Sequence, residues 1–431
     1  MNILLVGAGG REHALAWKIS HSPLLSKLWI APGNPGTAQY GENVAIATDD
    51  KKALVAFSVE HKIDLVVVGP EAPLVAGIAD DLHAAGISCF GPGAKAAELE
   101  ASKAFCKEVM VRHRIPTAAY RVFSDLNSAI SYLGLGCDFP VVIKASGLAA
   151  GKGVYICGSF EEARQAAKSL LDEGVHGAAG RTIILEEFLD GPEASAFALT
   201  DGRTILPLEC CQDHKQRFEG GKGPNTGGMG AICPNPQVSE RTLDAIERQI
   251  LVPTVHGMNH EGRRFHGVLF AGIKLTTVGP KILEYNVRFG DPECQVLMMR
   301  MKSDILPYLL ATANGSLEDL DAPEWDSRPS VTIVLVSGGY PGDYRCGFPI
   351  TGLDTIECDD ELQVFHAGTC FGDGDEILTD GGRVLAITAK GETLSAARAR
   401  AYEVAEQINF EGKGWRTDIG LAGVEAMERV R

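Results

Sequence analysis

Acidic, amide and basic side chains alternate with apolar ones in the segment from Ile282 to Glu293. Alternate residues of a strand share a face, so Glu284, Asn286 and Arg288 would project together to one side. A carboxylate and an amide oxygen suit Mg2+, and an arginine beside them can grip a phosphoryl or carboxylate oxygen through two parallel bonds. The intervening residues are apolar, which disfavours the alternative of a solvated strand face. The pattern predicts a metal and phosphate site at a strand end.

A second pattern joins an apolar strand that ends in Lys144 to a glycine-rich loop. The loop includes Gly151, Lys152 and Gly153 and then enters another strand. It lacks the spacing of a P-loop, whose lysine opens a helix. A hairpin of this kind can lie over polyphosphate, which indicates a different nucleotide-binding fold. A plain β-hairpin is the alternative, but it does not explain why an apolar strand ends in a cation.

The segment from Leu185 to Glu193 is a predicted strand that runs into a turn and could grip an adenosine. Backbone groups from Glu187 through Phe188 to Leu189 could read the adenine edge, while Glu193 could accept hydrogen bonds from ribose hydroxyls. Taken alone, the segment is an ordinary strand and turn. The candidate nucleotide contacts here are Glu186, Glu187, Phe188, Leu189 and Glu193.

A polar, glycine-rich loop lies between Gln212 and Gly230 and is dense in residues that adopt special backbone conformations. Consecutive glycines let the backbone approach a small ligand. Asp213 and Lys215 could pair with the ammonium and the carboxylate of an amino acid. A mobile surface loop is the alternative. The further candidate substrate contacts are Asn225, Thr226, Gly228 and Met229.

Up to about residue 100, short apolar runs alternate with helical stretches, which predicts a doubly wound parallel sheet. Such sheets bind ligands beyond the carboxyl ends of their strands, and three loops at these ends should therefore face one crevice. The predicted strands are Ile3–Val6, Leu28–Ile30, Leu65–Val68 and Ile87–Phe90. The candidate contacts in the crevice are Gly9, Gly10, Asn34, Gly69, Pro70 and Glu71.

The first of these loops, from Gly7 to His13, only partly matches a dinucleotide-binding turn. Glu12 stands where a third glycine is needed, and the second strand ends in Ala31-Pro32-Gly33-Asn34 where a ribose-binding acid is expected. NAD is therefore disfavoured. A single phosphate at the loop and a purely structural turn both remain open.

The chain of 431 residues should divide into about three domains, predicted at 1–101, 102–325 and 326–431. The middle part mixes α and β, and the long helix around Glu240–Asn259 belongs to it. Its predicted strands include Val141–Lys144 and Thr182–Leu185. The last part should contain a helix from Thr393 and the strands Val331–Val336, Gln363–Thr369 and Arg383–Ala389.

Composition narrows the function classes further. The formal charge of −16 argues against a nucleic-acid partner, which requires a basic footprint. The 11 cysteines form no zinc-binding or disulfide pattern, which indicates reduced thiols and a cytoplasmic protein. No signal peptide or membrane span is expected. The sequence sets no oligomeric state, and a monomer is the simplest case.

Taken together, these residues resemble the ATP-grasp ligases and, among them, the glycinamide ribonucleotide synthetase family. The likeness covers the whole chain, and the joint occurrence of its motifs is highly specific. The motifs that carry it are Gly9-Gly-Arg-Glu-His13, Ala31-Pro-Gly-Asn34, Gly69-Pro-Glu-Ala-Pro73, Gly147-Leu-Ala-Ala-Gly-Lys-Gly153, Gln212-Asp-His-Lys215, Gly223–Gly230 and Arg288-Phe-Gly-Asp-Pro-Glu293.

The resemblance implies a multidomain α/β and α+β protein. It would have an N-terminal doubly wound parallel sheet that binds 5-phosphoribosylamine, an ATP-grasp core with a mobile lid at about 121–190, and a small C-terminal α/β domain. The implied reaction joins glycine to 5-phosphoribosylamine with ATP, through a glycyl phosphate, and gives glycinamide ribonucleotide, ADP and phosphate in purine synthesis.

The resemblance also implies roles for individual residues. Lys103 and Lys144 would contact the α/β-phosphates, and Gly151–Gly153 would cover them. Glu284 and Asn286 would hold Mg2+ or Mn2+, while Arg288 would steady the transferred phosphoryl group. Asp213 and Asp291 would complete the catalytic set, with Asp291 near the attacking amine.

Two departures and three rivals qualify this interpretation. The strand Gly267–Leu275 carries no acid, so a second metal ion is in doubt, and Ser146 stands where the family often has aspartate. The rivals are another ATP-grasp ligase with a different acid or amine, a nucleotide-sensing regulatory protein without turnover, and an oxidoreductase built on the first domain.

Overall fold

The computed structural model describes residues 1–149, 153–374 and 376–430 of the chain. Within them, no helix is long and apolar enough to cross a membrane. Gly151 and Lys152, both predicted to cover the phosphates, lie outside the described residues.

The N-terminal unit is a five-stranded parallel sheet in the order β3-β2-β1-β4-β5. A parallel sheet is the fold that the sequence predicted for this part of the chain. Leu5 on the central strand pairs with Ile30 and Val67 in its neighbours. Helices cover both faces, so these strands are continuous apolar runs. The strands are β1 Asn2–Gly7, β2 Lys27–Pro32, β3 Glu42–Asn43, β4 Leu65–Val68 and β5 Ser88–Phe90; the helices are α1 Gly10–Ser20, α2 Lys51–Glu60, α3 Glu71–Val75, α4 Ile78–Ala84 and α5 Ala94–Ala101.

The next unit is a four-stranded antiparallel sheet in the order β6-β9-β7-β8. Two helices pack on it and close a hydrophobic core of its own, in which Leu133, Ile143 and Leu170 are buried. Helix α6 (Lys103–Arg112) precedes the sheet. The strands are β6 Tyr120–Phe123, β7 Val141–Ala145, β8 Val154–Cys157 and β9 Ile183–Glu187; the helices are α7 Leu126–Gly134 and α8 Phe160–Leu171.

Eight more strands and four helices follow up to residue 314. Four of the strands form an antiparallel sheet in the order β11-β10-β16-β17. The strands are β10 Glu193–Thr200, β11 Ile205–Pro207, β12 Gln212–Asp213, β13 Gln216–Phe218, β14 Lys222–Asn225, β15 Gly230–Cys233, β16 Gly267–Thr276 and β17 Gly279–Asn286; the helices are α9 Glu240–Ile246, α10 Val252–His260, α11 Glu293–Arg300 and α12 Ile305–Asn314.

The helix predicted around Glu240–Asn259 is present but not uniform. Helices α9 and α10 are joined by a π turn at Glu247–Leu251. Pro253 lies in the first turn of α10 and donates no backbone hydrogen bond, and in a regular α-helix its ring would clash with the carbonyl of Gln249. A wider turn relieves this clash.

The C-terminal strands share a sheet with strands from the middle of the chain, in the order β12-β15-β18-β22-β19. The predicted boundary at residue 325 therefore runs through a single sheet. The predicted strand Gln363–Thr369 is divided between two strands. The remaining elements are β18 Ser330–Val336, β19 Leu362–His366, β20 Thr369–Phe371, β21 Ile377–Thr379, β22 Arg383–Lys390, α13 Leu394–Gln407 and α14 Leu421–Val430; short 3-10 turns lie at Thr37–Gln39, Gly177–Gly180, Leu317–Asp319 and Leu353–Thr355.

Candidate active site

The end of β17 presents the predicted metal and phosphate residues on one side. Glu284 and Asn286 are partly exposed, while Tyr285 between them and Val287 after them are buried. The guanidinium of Arg288 donates to Oδ1 of Asn286 at 3.1 Å. Strand alternation thus brings the three side chains together.

A β-bulge precedes Glu284 and turns the backbone toward Lys144, which was predicted to contact phosphate. Glu284 pairs with Gly272 and Ile282 pairs with Ile273, so that Leu283 is the extra residue. Its carbonyl accepts a hydrogen bond from Nζ of Lys144 at 3.4 Å. The bulge thereby joins β17 to the antiparallel sheet that carries Lys144.

Glu284 lies in a strongly positive field. Burial alone would raise its pKa, but Lys215, Lys103 and Lys144 outweigh burial and hold the pKa below its ordinary value. Among the described residues, no hydrogen bond is made to its carboxylate, which leaves an ionised oxygen pair for a ligand. Within the same residues there is no group of three or more His, Cys, Asp or Glu side chains arranged to hold a metal. The donor set of Glu284 and Asn286 fits a hard divalent cation that takes its other ligands from phosphates and water.

Lys144 belongs to a buried cluster of two lysines and one carboxylate. Oε2 of Glu186 lies 2.9 Å from Nζ of Lys144, and Oε1 lies 3.3 Å from Nζ of Lys107. Burial lowers the pKa of Lys107, whereas Glu186 and Glu284 outweigh burial and raise the pKa of Lys144. The Glu186 side chain was expected at the nucleotide and is instead committed to these two lysines. Lys107 was not among the residues predicted from the sequence, although it follows Lys103 by four residues on one helix face.

The start of α6 is built by two serines. Oγ of Ser102 accepts from the Phe105 amide at 3.2 Å, and Oγ of Ser146 accepts from the Ala104 amide at 3.1 Å. The Lys103 amide donates to the Ser146 carbonyl at 2.8 Å. Ser146, which departs from the family pattern, thus caps the helix that begins with Lys103.

The expected nucleotide turn has one backbone anchor and one ionised carboxylate. Oε2 of Glu187 accepts from the Ala119 amide at 3.2 Å, and Leu189 is buried. Glu193 lies 3.3 Å from Lys215 and 3.2 Å from Lys274. Lys215 lowers the pKa of Glu193 most, and the pKa falls to about 2. Phe188 is partly exposed. Gly153, which was predicted to cover the phosphates, packs closely, since a Cβ there would lie 2.9 Å from the Cβ of Ala145.

The glycine-rich loop contains a hairpin of β13 and β14 and then turns sharply. Oδ1 of Asn225 accepts from Gln216 at 3.3 Å, and the Thr226 hydroxyl donates to the Lys215 carbonyl at 2.7 Å. Gly228 has φ +121°, and a Cβ there would lie 2.7 Å from Oδ1 of Asp213. Met229 was predicted to contact the substrate. Its side chain is instead fully buried in the core and does not face a ligand.

Three carboxylates and an arginine lie close to this turn. Oδ1 of Asp213 is buried without a hydrogen-bond partner among the described residues. Burial and the nearby Glu293 raise the pKa of Asp213 well above its ordinary value. Arg383 on β22 donates to the Gly227 carbonyl at 2.8 Å and lies 3.6 Å from Oδ1 of Asp291. No role was predicted for Glu293 or Arg383 from the sequence, and no local pattern distinguishes Arg383 from other arginines.

The Glu12 side chain packs between the ends of β1 and β4. Its carboxylate accepts from the Gly9 amide and from Nε of Arg11, each at 2.6 Å. A Cβ at Gly69 would lie 1.9 Å from Oε1 of Glu12, and one at Gly7 would lie 2.4 Å from its Cγ. The close packing at these glycines serves a carboxylate of the protein itself, which explains why the dinucleotide pattern is broken here.

Other predicted crevice contacts are also engaged within the protein. Oδ2 of Asp291 accepts from the Arg11 amide at 3.3 Å, beside Gly9 and Gly10. Pro70 is the residue before α3, and Oε2 of Glu71 accepts from Arg288 at 3.2 Å. Phosphate binding at this turn stays a prediction.

Asn34 has a different role from the one expected. Its amide donates to the carbonyls of Ala8 and His366 at 2.8 and 3.0 Å, and its Oδ1 accepts from Gly36 and Thr37 at 2.9 and 3.0 Å. An asparagine side chain makes at most four such bonds. It therefore ties the N-terminal sheet to β19 and has no capacity left for a substrate.

Comparison with known proteins identifies the family. The phosphoribosylglycinamide synthetase N domain matches residues 1–100, its ATP-grasp (A) domain matches 101–294, and its C domain matches 330–422. The chain belongs to the phosphoribosylglycinamide synthetase family. This is another name for the family that the sequence motifs indicated, and that prediction is confirmed.

Individual relatives cover the chain almost completely. A phosphoribosylamine–glycine ligase of Agrobacterium fabrum is 50% identical over 98% of this chain and 99% of its own length. A human trifunctional purine biosynthetic protein, adenosine-3, is 48% identical over 100% of this chain and 42% of its own length. The crystal structure of a phosphoribosylamine–glycine ligase from Thermotoga maritima has a TM-score of 0.86 at 33% identity, covering 97% of this chain and 100% of the other. The predicted multidomain fold of the synthetase family is thereby confirmed.

Proposed function

We propose that this protein is an ATP-dependent ligase that joins glycine to 5-phosphoribosylamine and releases glycinamide ribonucleotide, ADP and phosphate, an early step of purine synthesis. The observation that carries the proposal is the 50% identity to a phosphoribosylamine–glycine ligase over 98% of the chain. The site agrees with it, because lysines, oxygen ligands and an arginine converge at the end of β17.

The first step would be activation of glycine. A carboxylate is a poor acyl donor, so we propose that a glycine oxygen attacks the γ-phosphorus of ATP and that ADP leaves, giving glycyl phosphate. This step needs positioning and charge neutralisation more than acid-base catalysis. Lys103 and Lys144 would contact the phosphates and Arg288 the transferred group. Backbone groups from Glu187 to Leu189 would hold the adenine, and Glu193 the ribose.

A divalent cation, Mg2+ or Mn2+, would be held by Glu284 and Asn286 and would neutralise phosphate charge when bound. The lysines around Glu284 already keep its carboxylate ionised, the form that binds a metal. A single cation is consistent with the absence of an acidic residue between Gly267 and Leu275.

Glycine itself would lie between Asp213 and Lys215. The pKa of Asp213 is raised, and its buried Oδ1 has no hydrogen-bond partner among the described residues. The ammonium of glycine would supply the missing counter-charge and donor, while Lys215 would meet the carboxylate. The backbone at Gly228 passes close to Asp213, and this would favour a small amino acid at the site.

The second step would form the amide. The amine nitrogen of 5-phosphoribosylamine attacks the acyl carbon of glycyl phosphate, the carbon–nitrogen bond forms, and phosphate leaves. Asp291 and the turn at Thr226–Gly228 would orient the amine, and the loops of the N-terminal crevice would hold the ribose phosphate. The sheet of β6 to β9 would close as a lid, since water would hydrolyse the acyl phosphate.

The assignment of whole segments is part of the proposal. Residues 1–101 would bind 5-phosphoribosylamine, 102–325 would bind ATP with a lid at about 121–190, and 326–431 would complete the fold. All eleven cysteines are free, in agreement with the proposed cytoplasmic location.

The test is phosphate release from ATP with glycine and freshly generated 5-phosphoribosylamine, omitting each component in turn and identifying the product by mass. Release that needs all three, with glycinamide ribonucleotide formed, is the expected result. Turnover with a different acid or amine would refute the substrate assignment. If the folded protein releases no phosphate from ATP, the proposal that it is an ATP-dependent ligase is refuted.

A further inference from the structure

Glu100 is a buried carboxylate in the last turn of α5 that reaches the end of β17. Its Oε2 accepts from the backbone amide of Val287 at 2.7 Å, and its Oε1 accepts from Nη2 of Arg288 at 3.0 Å. We propose that Glu100 is a positioning residue, which fixes Val287 and Arg288 so that Asn286 and Arg288 face the same reaction site. The inference rests on the proposed function, because it assigns Glu100 to the reaction through Arg288.

The contact with Val287 replaces a lost sheet partner. Strand β17 ends at Asn286, so the next amide is no longer bonded to β16. Val287 is only 1% exposed, and a buried amide without a partner is unfavourable. Glu100 supplies that partner from another part of the chain. The direction in which the backbone leaves the strand therefore depends on this one carboxylate.

The contact with Arg288 is of a different kind from the contact with Glu71. Arg288 donates Nε to Glu71 at 3.2 Å and Nη2 to both Glu100 and Asn286. The Glu71 side chain is 32% exposed, whereas that of Glu100 is 6% exposed. A ligand can therefore replace Glu71 as a partner, while Glu100 stays sheltered and holds the guanidinium in place.

A further donor of Arg288 is also committed. Its Nη1 donates to the Phe289 carbonyl at 3.3 Å. Guanidinium has five N–H groups, so the known bonds leave one N–H on Nη1 for a phosphoryl oxygen, and exchange at Glu71 would free a second. Glu100 sets the plane in which these two groups point, which matters because a misplacement of about 1 Å can cost about 10²-fold in rate.

The Glu100→Gln variant separates positioning from simple structural support. Glutamine keeps the length and one acceptor oxygen, which can still serve the Val287 amide. Its NH2 group would then meet the N–H groups of Arg288, donor against donor. A purely structural Glu100 would tolerate this change, whereas a positioning Glu100 would not.

The experiment measures kcat and KM for ATP and glycine, with product identified by mass, for wild type, Glu100→Gln, Arg288→Ala and the double variant. Glu98→Gln is the matched control, because Glu98 lies on the same helix but points away from the site. Its Oε2 forms an ion pair with Nη1 of Arg263 at 2.7 Å. We expect Glu100→Gln to lower kcat by about 10- to 100-fold, with KM for ATP and the thermal midpoint close to wild type. In the Arg288→Ala background it should lower kcat less than about twofold, because residues acting as a unit are not additive.

Three outcomes would overturn the inference: unchanged kcat in Glu100→Gln, an equal loss in the Arg288→Ala background, or an equal loss in Glu98→Gln. If Glu100→Gln does not fold, Glu100→Asp replaces it in the same set of single and double variants, because the shorter carboxylate cannot reach both partners. Failure of the proposed function is distinct, because wild type itself would then make no glycinamide ribonucleotide, and this inference would fall with it.

Discussion

Replacing Gly69 by alanine would force the carboxylate of Glu12 out of the crevice between β1 and β4. The new methyl group would lie 1.9 Å from Oε1 and 2.6 Å from Cγ of Glu12, far inside van der Waals contact. The same carboxylate accepts from the Gly9 amide and from Nε of Arg11. Displacing it breaks both bonds and leaves the buried guanidinium of Arg11 short of a counter-charge.

The magnitude follows from these contacts. A hydrogen bond to a charged group contributes about 1.5–3 kcal/mol, and overpacking by a methyl group costs about 1–3 kcal/mol. If Glu12 relaxes partly, we expect the free energy of unfolding to fall by about 3 kcal/mol. Since 1 kcal/mol shifts the midpoint by about 2–4 °C in a domain of about 150–250 residues, the thermal midpoint should fall by about 6–12 °C.

The assay is scanning calorimetry of Gly69→Ala beside Gly158→Ala. A Cβ at Gly158 would meet its nearest neighbour at 3.7 Å, an ordinary contact, so this control should unfold like wild type. An unchanged midpoint for Gly69→Ala together with a raised KM for 5-phosphoribosylamine would refute the reasoning. Gly69 would then serve the ligand and not the packing of Glu12.

Other predictions concern the reaction site and the junction of the sheets. Arg288→Ala should lower turnover by about 10²-fold or more if the guanidinium stabilises developing charge; unchanged phosphate release would exclude that role. Glu284→Gln should raise the Mg2+ concentration needed for half-maximal activity, and a wild-type metal response would remove Glu284 from the metal site. Burial lowers the pKa of His366 to about 4, against about 6.5 in an unfolded chain. The unfolded state therefore binds more protons between these values, and stability should fall as pH falls from about 6.5 to 4. Thermal midpoints against pH should show this decline, and it should be shallower in His366→Asn.

The fold could be predicted where the chain carries strong periodic signals. The apolar runs of β1, β2, β4 and β5 are evident, whereas β3 has only two residues and no pattern of its own. The predicted strand Gln363–Thr369 breaks because Gly368 packs against Gly381, where a Cβ would lie 2.5 Å from the other backbone. Such a close approach depends on a partner distant in sequence, so no local pattern shows it.

The grouping of some candidate site residues could be predicted from the sequence, whereas most of their hydrogen-bond partners could not. Strand alternation places Glu284 beside Asn286, and a local rule is sufficient for that. The commitment of Glu186 to Lys107 and Lys144, or of Asn34 to the carbonyl of His366, arises only when separate segments pack. The types of residue indicated ligand binding, but some of their hydrogen-bonding capacity is used inside the protein.

The sheet β12-β15-β18-β22-β19, which combines strands from the middle and the C-terminal parts, determines where the chain can be divided. Strand β15 lies between β12 and β18, and β18 comes from beyond residue 325. A fragment that stops at 325 would expose the edge of β15, with unpaired backbone groups and the apolar side chains of Ala231 and Ile232, and we expect it to aggregate. A portion that is moved intact into a longer polypeptide must therefore keep β12 and β15 together with β18, and the human trifunctional relative matches 100% of this chain within 42% of its own length.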